Sequence, residues 1–120
     1  MVFLKKYSLE NTPATSGMMN EAIEYINNNI TKSLTIDEIC SKIHISKYHL
    51  CRQFKITTGT TIMKYILKTR IVLAKNMLSN QALSITEISN RCGFSSVAYF
   101  SRVFKEDTGM NPLNFKKKFS

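Results

Sequence analysis

Two stretches of the chain carry an arginine and, three residues on, a lysine in matching surroundings. One reads SKYHLCRQFKITTG, residues 46–59, and the other SVAYFSRVFKEDTG, residues 96–109. Arg52 and Lys55 thus recur as Arg102 and Lys105, while Ser46, Phe54, Thr58 and Gly59 recur as Ser96, Phe104, Thr108 and Gly109. The chemistry open to such a pair is the recognition of anions and of acceptor-rich edges. A guanidinium offers a planar fork that can pair with the O6 and N7 atoms of guanine or with a phosphate, whereas an ammonium acts as a point charge. The flanking residues differ: Lys47, Tyr48 and Cys51 in the first copy, Val97, Ala98 and Ser101 in the second. Methyl-sized groups such as the last three suit contact with thymine. A single charged helix face is ordinarily just solvated, but two with arginine and lysine at equal offsets point to a duplicated task, and Arg52 and Arg102 are expected to share it.

Other chemistries find less support. Asp37, Glu38, His44 and His49 are close in sequence, yet they form no nucleophile-base-orienter set and no metal spacing, so no catalytic residue, metal or cofactor is expected and the chain does not read as an enzyme. The three cysteines, Cys40, Cys51 and Cys92, are scattered and include no C-x-x-C pair, which argues against a disulfide framework or a zinc site and suits a reducing, cytoplasmic setting. Cys40 and Cys92 lie on apolar helix sides and read as core; Cys51 reads as an inert surface thiol. No apolar run approaches the roughly 18 residues of a membrane span, and the N-terminus lacks a secretory pattern.

The elements that must position these residues are all helical. With 120 residues, 43% of them hydrophobic, the chain has the size of one ordinary domain. Residues 1–17 mix Ser, Thr, Asn, Pro13 and Gly17 and read as a flexible tail or linker. A first helix is expected from about Met18 to Ile30, with Ala22, Ile23, Ile26 and Ile30 at helical spacing. Thr35-Ile36-Asp37-Glu38 and Ser84-Ile85-Thr86-Glu87 are capping-box patterns that open short helices over 36–43 and 85–92. A tight turn follows each, His44-Ile45 in the first and the longer Gly93-Phe94-Ser95 in the second, at a place suited to a positive φ. Ser46 and Ser96 then cap the helices 46–58 and 96–108, and Gly59 and Gly109 end them. Leu50 and Phe54, like Phe100 and Phe104, fall on the core side, which leaves the basic residues outward.

The segment 60–79 carries Ile62, Tyr65, Ile66, Thr69, Leu73 and Met77 at helical spacings and reads as a connecting helix between subdomains 18–59 and 80–120. Nearly 20 residues of helix span roughly 30 Å, close to the ~34 Å that separates successive major-groove segments on one face of DNA. Net charge is +9, and between Ile39 and Lys105 eleven basic residues face one acidic residue, Glu87. Nucleic acid and an anionic membrane surface both reward such a run. A basic helical adaptor for an acidic protein or a membrane is therefore the alternative to a DNA reader. Phosphate contacts are expected from Lys55, Lys105 and Lys64, from Thr60 or Thr61 at the start of the connecting helix, and from Asn111 before Pro112, where helix amides face outward. Lys68 and the run Lys116-Lys117-Lys118 could add charge.

On these motifs, LTIDEICSKIHISKYHLCRQFKITTG and SITEISNRCGFSSVAYFSRVFKEDTGMNPLNFKKKF, the chain resembles the DNA-binding domain of the AraC/XylS family of bacterial transcription regulators over residues 20–119. The resemblance implies an all-α fold of about seven helices, two helix-turn-helix subdomains joined by a long helix, and recognition helices that enter adjacent major grooves of double-stranded DNA. It places base contacts at Lys47, Tyr48, Cys51 and Arg52, and at Val97, Ala98, Ser101 and Arg102. It further implies a transcription activator that works with RNA polymerase and is monomeric in this form. His44 stands where the family commonly has glycine. Many relatives carry a further domain ahead of this one, and the composition of Lys5–Gly17 suits a tether to such a domain, though a small stand-alone regulator is the other reading.

Overall fold

The computed structural model describes residues 13–119. Seven helices and no strand occur among them: α1 (Pro13–Asn28), α2 (Ile36–Ile43), α3 (Lys47–Thr58), α4 (Ile62–Leu78), α5 (Ile85–Arg91), α6 (Val97–Thr108) and α7 (Pro112–Phe119). The start of α1 differs from the expected Met18. Proline at the first helical position costs nothing, because its fixed φ is already helical and its missing N–H would have had no partner. Of the expected tail, residues 13–17 are therefore helical, and 1–12 lie outside the described residues. The connecting helix α4 is shorter than 60–79, because Thr61 caps it: the Thr61 hydroxyl accepts from the Lys64 amide at 3.2 Å.

The chain forms two compact units, one comprising α1 through Asn29 with Leu34–Tyr65, the other Ile30–Ser33 with the chain from Ile66 onward. The division falls inside α4.

In the first unit, α1 packs on α2 and α3, and α2 on α3. Met19, Ala22 and Ile26 recur every three or four residues along α1 and are fully buried with Ile39, Leu50 and Phe54. Tyr65 closes this core with an edge-on contact to Phe54 at 5.5 Å and donates its hydroxyl to Asn27 Oδ1 at 3.0 Å. The capping box at Thr35 is only half formed. The Thr35 hydroxyl accepts from the Glu38 amide, but the Glu38 carboxylate accepts instead from the Tyr25 hydroxyl at 2.7 Å, which also raises the Tyr25 phenol above its ordinary range. His44 ends α2 in the left-handed region at φ 57°, the one non-glycine with positive φ among the described residues.

The second unit has an aromatic core. Phe94, Phe100, Phe104 and Phe115 follow one another at centroid distances of 5.0, 5.6 and 5.1 Å, packed with Ile71, Leu78, Ile88 and Cys92. Its capping box is complete: the Glu87 amide donates to the Ser84 hydroxyl at 3.1 Å and the Ser84 amide donates to the Glu87 carboxylate at 3.0 Å. That backbone donor holds the Glu87 carboxyl below its ordinary range. The folded chain thus releases the Glu87 proton more readily than the unfolded one. The resulting stabilisation is present above the ordinary carboxylate pKa and disappears as pH falls through the lowered one. Between neutral pH and about pH 3, Glu87→Gln is accordingly expected to lose less stability than the parent chain in urea titrations.

Arg70, one of the eleven cations, faces inward. It is buried, and its guanidinium donates from Nε to the Ile30 carbonyl at 2.9 Å and from Nη2 to the Lys32 carbonyl at 2.8 Å. Burial lowers its pKa. Lys68 and Lys75 are drawn to Asp107, at 2.7 and 3.7 Å, and Lys116 donates to the Leu83 carbonyl at 2.6 Å. Lys68 and Lys116, expected as spare charge for phosphates, have intramolecular partners that their helical positions alone did not disclose.

Most of the echo between the two copies is structural. Ser46 and Ser96 accept from the amides of His49 and Tyr99, and Gly59 and Gly109 take φ of 82° and 89°. Thr58 and Thr108 bind back to the carbonyls of Phe54 and Phe104 and accept from the amides of Thr60 and Met110. The correspondence extends past the glycines. Thr61 and Asn111 cap the next helices, and Tyr65 meets Phe54 as Phe115 meets Phe104. The carbonyls of Lys55 and Lys105 accept from the amides of Gly59 and Gly109 at 2.8 Å, but the side chains of Arg52, Lys55, Arg102 and Lys105 recur without a structural contact common to both copies.

Candidate nucleic-acid interface

Burial of Leu50 and Phe54 fixes which side of α3 turns outward. On that side Lys47, Tyr48, Cys51, Arg52, Lys55 and Ile56, together with Thr61, line an open groove of about 890 Å³. All four base-contact candidates of the first copy, and Lys55 and Thr61 of the phosphate set, come together there. Tyr48 is 68% exposed, and its hydroxyl accepts from Nη1 of Arg52 at 3.3 Å, one helical turn away. This contact orients the guanidinium along the groove. Ile56 is an addition to the expected residues; it lies four residues from Arg52 and is exposed in the groove. Lys64 is exposed but lies outside this lining. The Thr60 amide, expected to face a phosphate, is engaged by the Thr58 hydroxyl at 3.2 Å.

The second copy presents a different surface. Ala98, Arg102 and Lys105 are exposed, whereas Val97 and Ser101 are only partly so. The guanidinium of Arg102 lies 5.1 Å from the ring centroid of Tyr99 and 3.5 Å from the carboxylate of Glu106. Asn111 accepts from the Asn114 amide at 2.8 Å, so its side chain caps α7 and only other amides of that turn can meet an anion.

No group of His, Cys, Asp and Glu able to hold a metal ion occurs among the described residues, and no helix there is long and apolar enough to cross a membrane. Cys51 is exposed in the groove, Cys40 is half-buried with its pKa raised by burial and by Asp37, and Cys92 is buried, its thiol pushed up to about 11. A rise from 9.0 to about 11 alone leaves Cys92 with about 100-fold less thiolate at mildly alkaline pH. In timed alkylation read by mass spectrometry, Cys51 is expected to react first, Cys40 more slowly, and Cys92 only as the second unit unfolds.

Known proteins resemble this chain in sequence and in fold. The helix-turn-helix domain family matches residues 39–118. The transcriptional activator RhaR of Salmonella dublin is 35% identical over 113 residues, 92% of this chain and 40% of that protein. Among solved structures, a transcriptional regulator of the AraC-type DNA-binding class from Chromobacterium violaceum is 30% identical with a TM-score of 0.76, covering 86% of this chain and 92% of that one. The DNA-binding domain of AdpA, in complex with a target DNA, aligns with a TM-score of 0.80 over 84% of this chain and 91% of that one; at 19% identity it speaks for the fold alone. The chain spans about two fifths of the length of the curated relatives it matches.

Proposed function

Since the chain belongs to the AraC-type helix-turn-helix family, we propose that it binds double-stranded DNA with sequence preference and serves as the DNA-reading part of a transcription regulator. The observation that carries this reading is the α3 groove. It gathers three cations, an exposed tyrosine and a small thiol on a helix whose opposite face is locked in a core. Lys47, Tyr48, Cys51 and Arg52 supply the base-edge contacts of that helix, and Val97, Ala98, Ser101 and Arg102 occupy the matching positions of α6. Lys55, Lys64 and Lys105, with the uncapped amides that open α4 after Thr61 and α7 after Asn111, hold phosphates, while the Thr60 amide stays with the Thr58 hydroxyl. This orders the contacts as DNA interfaces require, with phosphates fixing register and base edges carrying sequence. The reading includes no enzymatic step, metal or cofactor.

Activation of transcription, contact with RNA polymerase, a cytoplasmic location and a monomeric state in this form complete the proposal. Activation follows the relative RhaR, a transcriptional activator, and none of the four rests on a feature of the groove itself. The test is selection from a random duplex library, followed by titration of the selected site in increasing salt. A specific site is expected, with affinity falling about 100-fold or more between 50 and 200 mM salt. Affinity that stays flat with salt, or no enriched sequence, would defeat the proposal.

A further inference from the structure

The two arginines that recur at the same offset are held in opposite ways. Arg52 has Tyr48 one turn before it and Ile56 one turn after it; Arg102 has Ala98 and Glu106 at those places. Arg52 therefore finds its partner toward the N-terminal end of α3, where the Tyr48 hydroxyl accepts from it inside the open groove. Arg102 finds no acceptor at Ala98. Its guanidinium instead lies between the ring of Tyr99, three residues before it, at 5.1 Å and the Glu106 carboxylate, four residues after it, at 3.5 Å. That ring is itself anchored, half-buried and edge-on to Phe94 at 5.9 Å. Base edges are contacted mainly from the N-terminal part of a recognition helix. One arginine has a neutral hydroxyl partner in an open groove, and the other is held between a ring and a carboxylate.

From this contrast we propose that Glu106 is a positioning residue that makes sequence readout unequal, leaving base discrimination largely to α3. The inference rests on the DNA reading above. An exposed ion pair four residues apart is weak by itself, and both partners here are more than half exposed, at 62% and 66%. The carboxylate acts a second time, however, because it remains beside any phosphate that Arg102 or Lys105 approaches and opposes it. The neighbouring Asp107 adds little to this repulsion, since Lys68 and Lys75 neutralise it. The first copy has Ile56 and Thr57 at the two positions, and neither restrains nor repels.

The test is the same library selection, applied to the parent chain and to Glu106→Gln, Glu106→Ile, Arg102→Ala and the double variant Glu106→Gln/Arg102→Ala. Circular dichroism confirms that each is folded. The parent is expected to select one strongly constrained segment, which Arg102→Ala leaves unchanged while lowering affinity less than about 3-fold. Both Glu106 variants are expected to add a second constrained segment, to bind about 3- to 10-fold more tightly at low salt and to steepen the salt slope by about one. The added segment should vanish in the double variant, which a merely structural effect of residue 106 would not produce. Two equally constrained segments in the parent, one of them lost with Arg102→Ala, would overturn the inference and leave the DNA reading intact. So would Glu106 variants that select the parental sites. No enriched sequence for any of the chains would overturn both.

Discussion

Gly93→Ala is expected to cost the second unit about 3 kcal/mol in urea unfolding, against about 1 kcal/mol for Gly59→Ala in the first. Both glycines sit at positive φ, 90° and 82°, so the backbone penalty for a Cβ is similar at the two sites. The surroundings separate them. A Cβ at Gly93 would stand 2.6 Å from the Ile30 carbonyl oxygen and 3.0 Å from Arg70 Nε, whereas one at Gly59 meets nothing within 4 Å. The Ile30 carbonyl is also the acceptor of the Arg70 guanidinium, so making room for a methyl group pulls apart a charged hydrogen bond that is sheltered from water. A carbonyl and a guanidinium left partly unpaired in a buried place are costly. Equal losses at the two glycines would show that left-handed backbone strain is the whole effect and that the Ile30–Gly93–Arg70 contact contributes nothing.

Arg52→Ala is expected to weaken binding of the selected duplex about 10- to 100-fold and to relax sequence preference at one position. Lys55→Ala, one turn along the same groove, should weaken selected and scrambled duplexes alike and reduce the salt slope by about one. The difference follows from the groups. Arg52 is a two-pronged donor with a partner in Tyr48, while Lys55 is an exposed point charge in the groove lining. Tyr48→Phe keeps the ring but removes the acceptor, and is expected to give a smaller loss in the same direction as Arg52→Ala. Fluorescence anisotropy on the selected and scrambled sites distinguishes these outcomes. An Arg52→Ala loss of the same size on both duplexes would assign that residue to phosphate and remove it from base readout.

Much of the molecule was legible in local sequence, because the signals concerned act over one or two helical turns. Ser46, Ser84 and Ser96 mark helix starts by accepting amides three residues on, and Gly59 and Gly109 mark helix ends because other residues resist positive φ. The alternation of Leu50 and Phe54 with Tyr48, Cys51, Arg52 and Lys55 was enough to tell the buried side of α3 from its groove, since a helix repeats every 3.6 residues whatever surrounds it. The start of α1 escaped because proline, usually punctuation, is also a favoured first helical residue.

Partner choice was not legible, because it depends on which elements pack together. Glu38 has the right offset for a full capping box, yet only the packing of α1 on α2 brings the Tyr25 hydroxyl to claim it. Arg70, Lys68 and Lys75 look in sequence like members of one basic run. The fold turns the first into a buried clamp on Ile30 and Lys32 and spends the other two on Asp107. Gly93 is required twice, by its φ, which the turn pattern signalled, and by a carbonyl more than sixty residues earlier in the chain, which it did not. Local periodicity thus determined the helices, the duplication and the outward face of α3. Tertiary structure alone decided which cations of the basic run remain available to an anion, because the partners of Arg70, Lys68 and Lys75 are set by distances in space that sequence spacing does not encode, whereas those of Arg52 and Arg102 lie one turn away on the same helix.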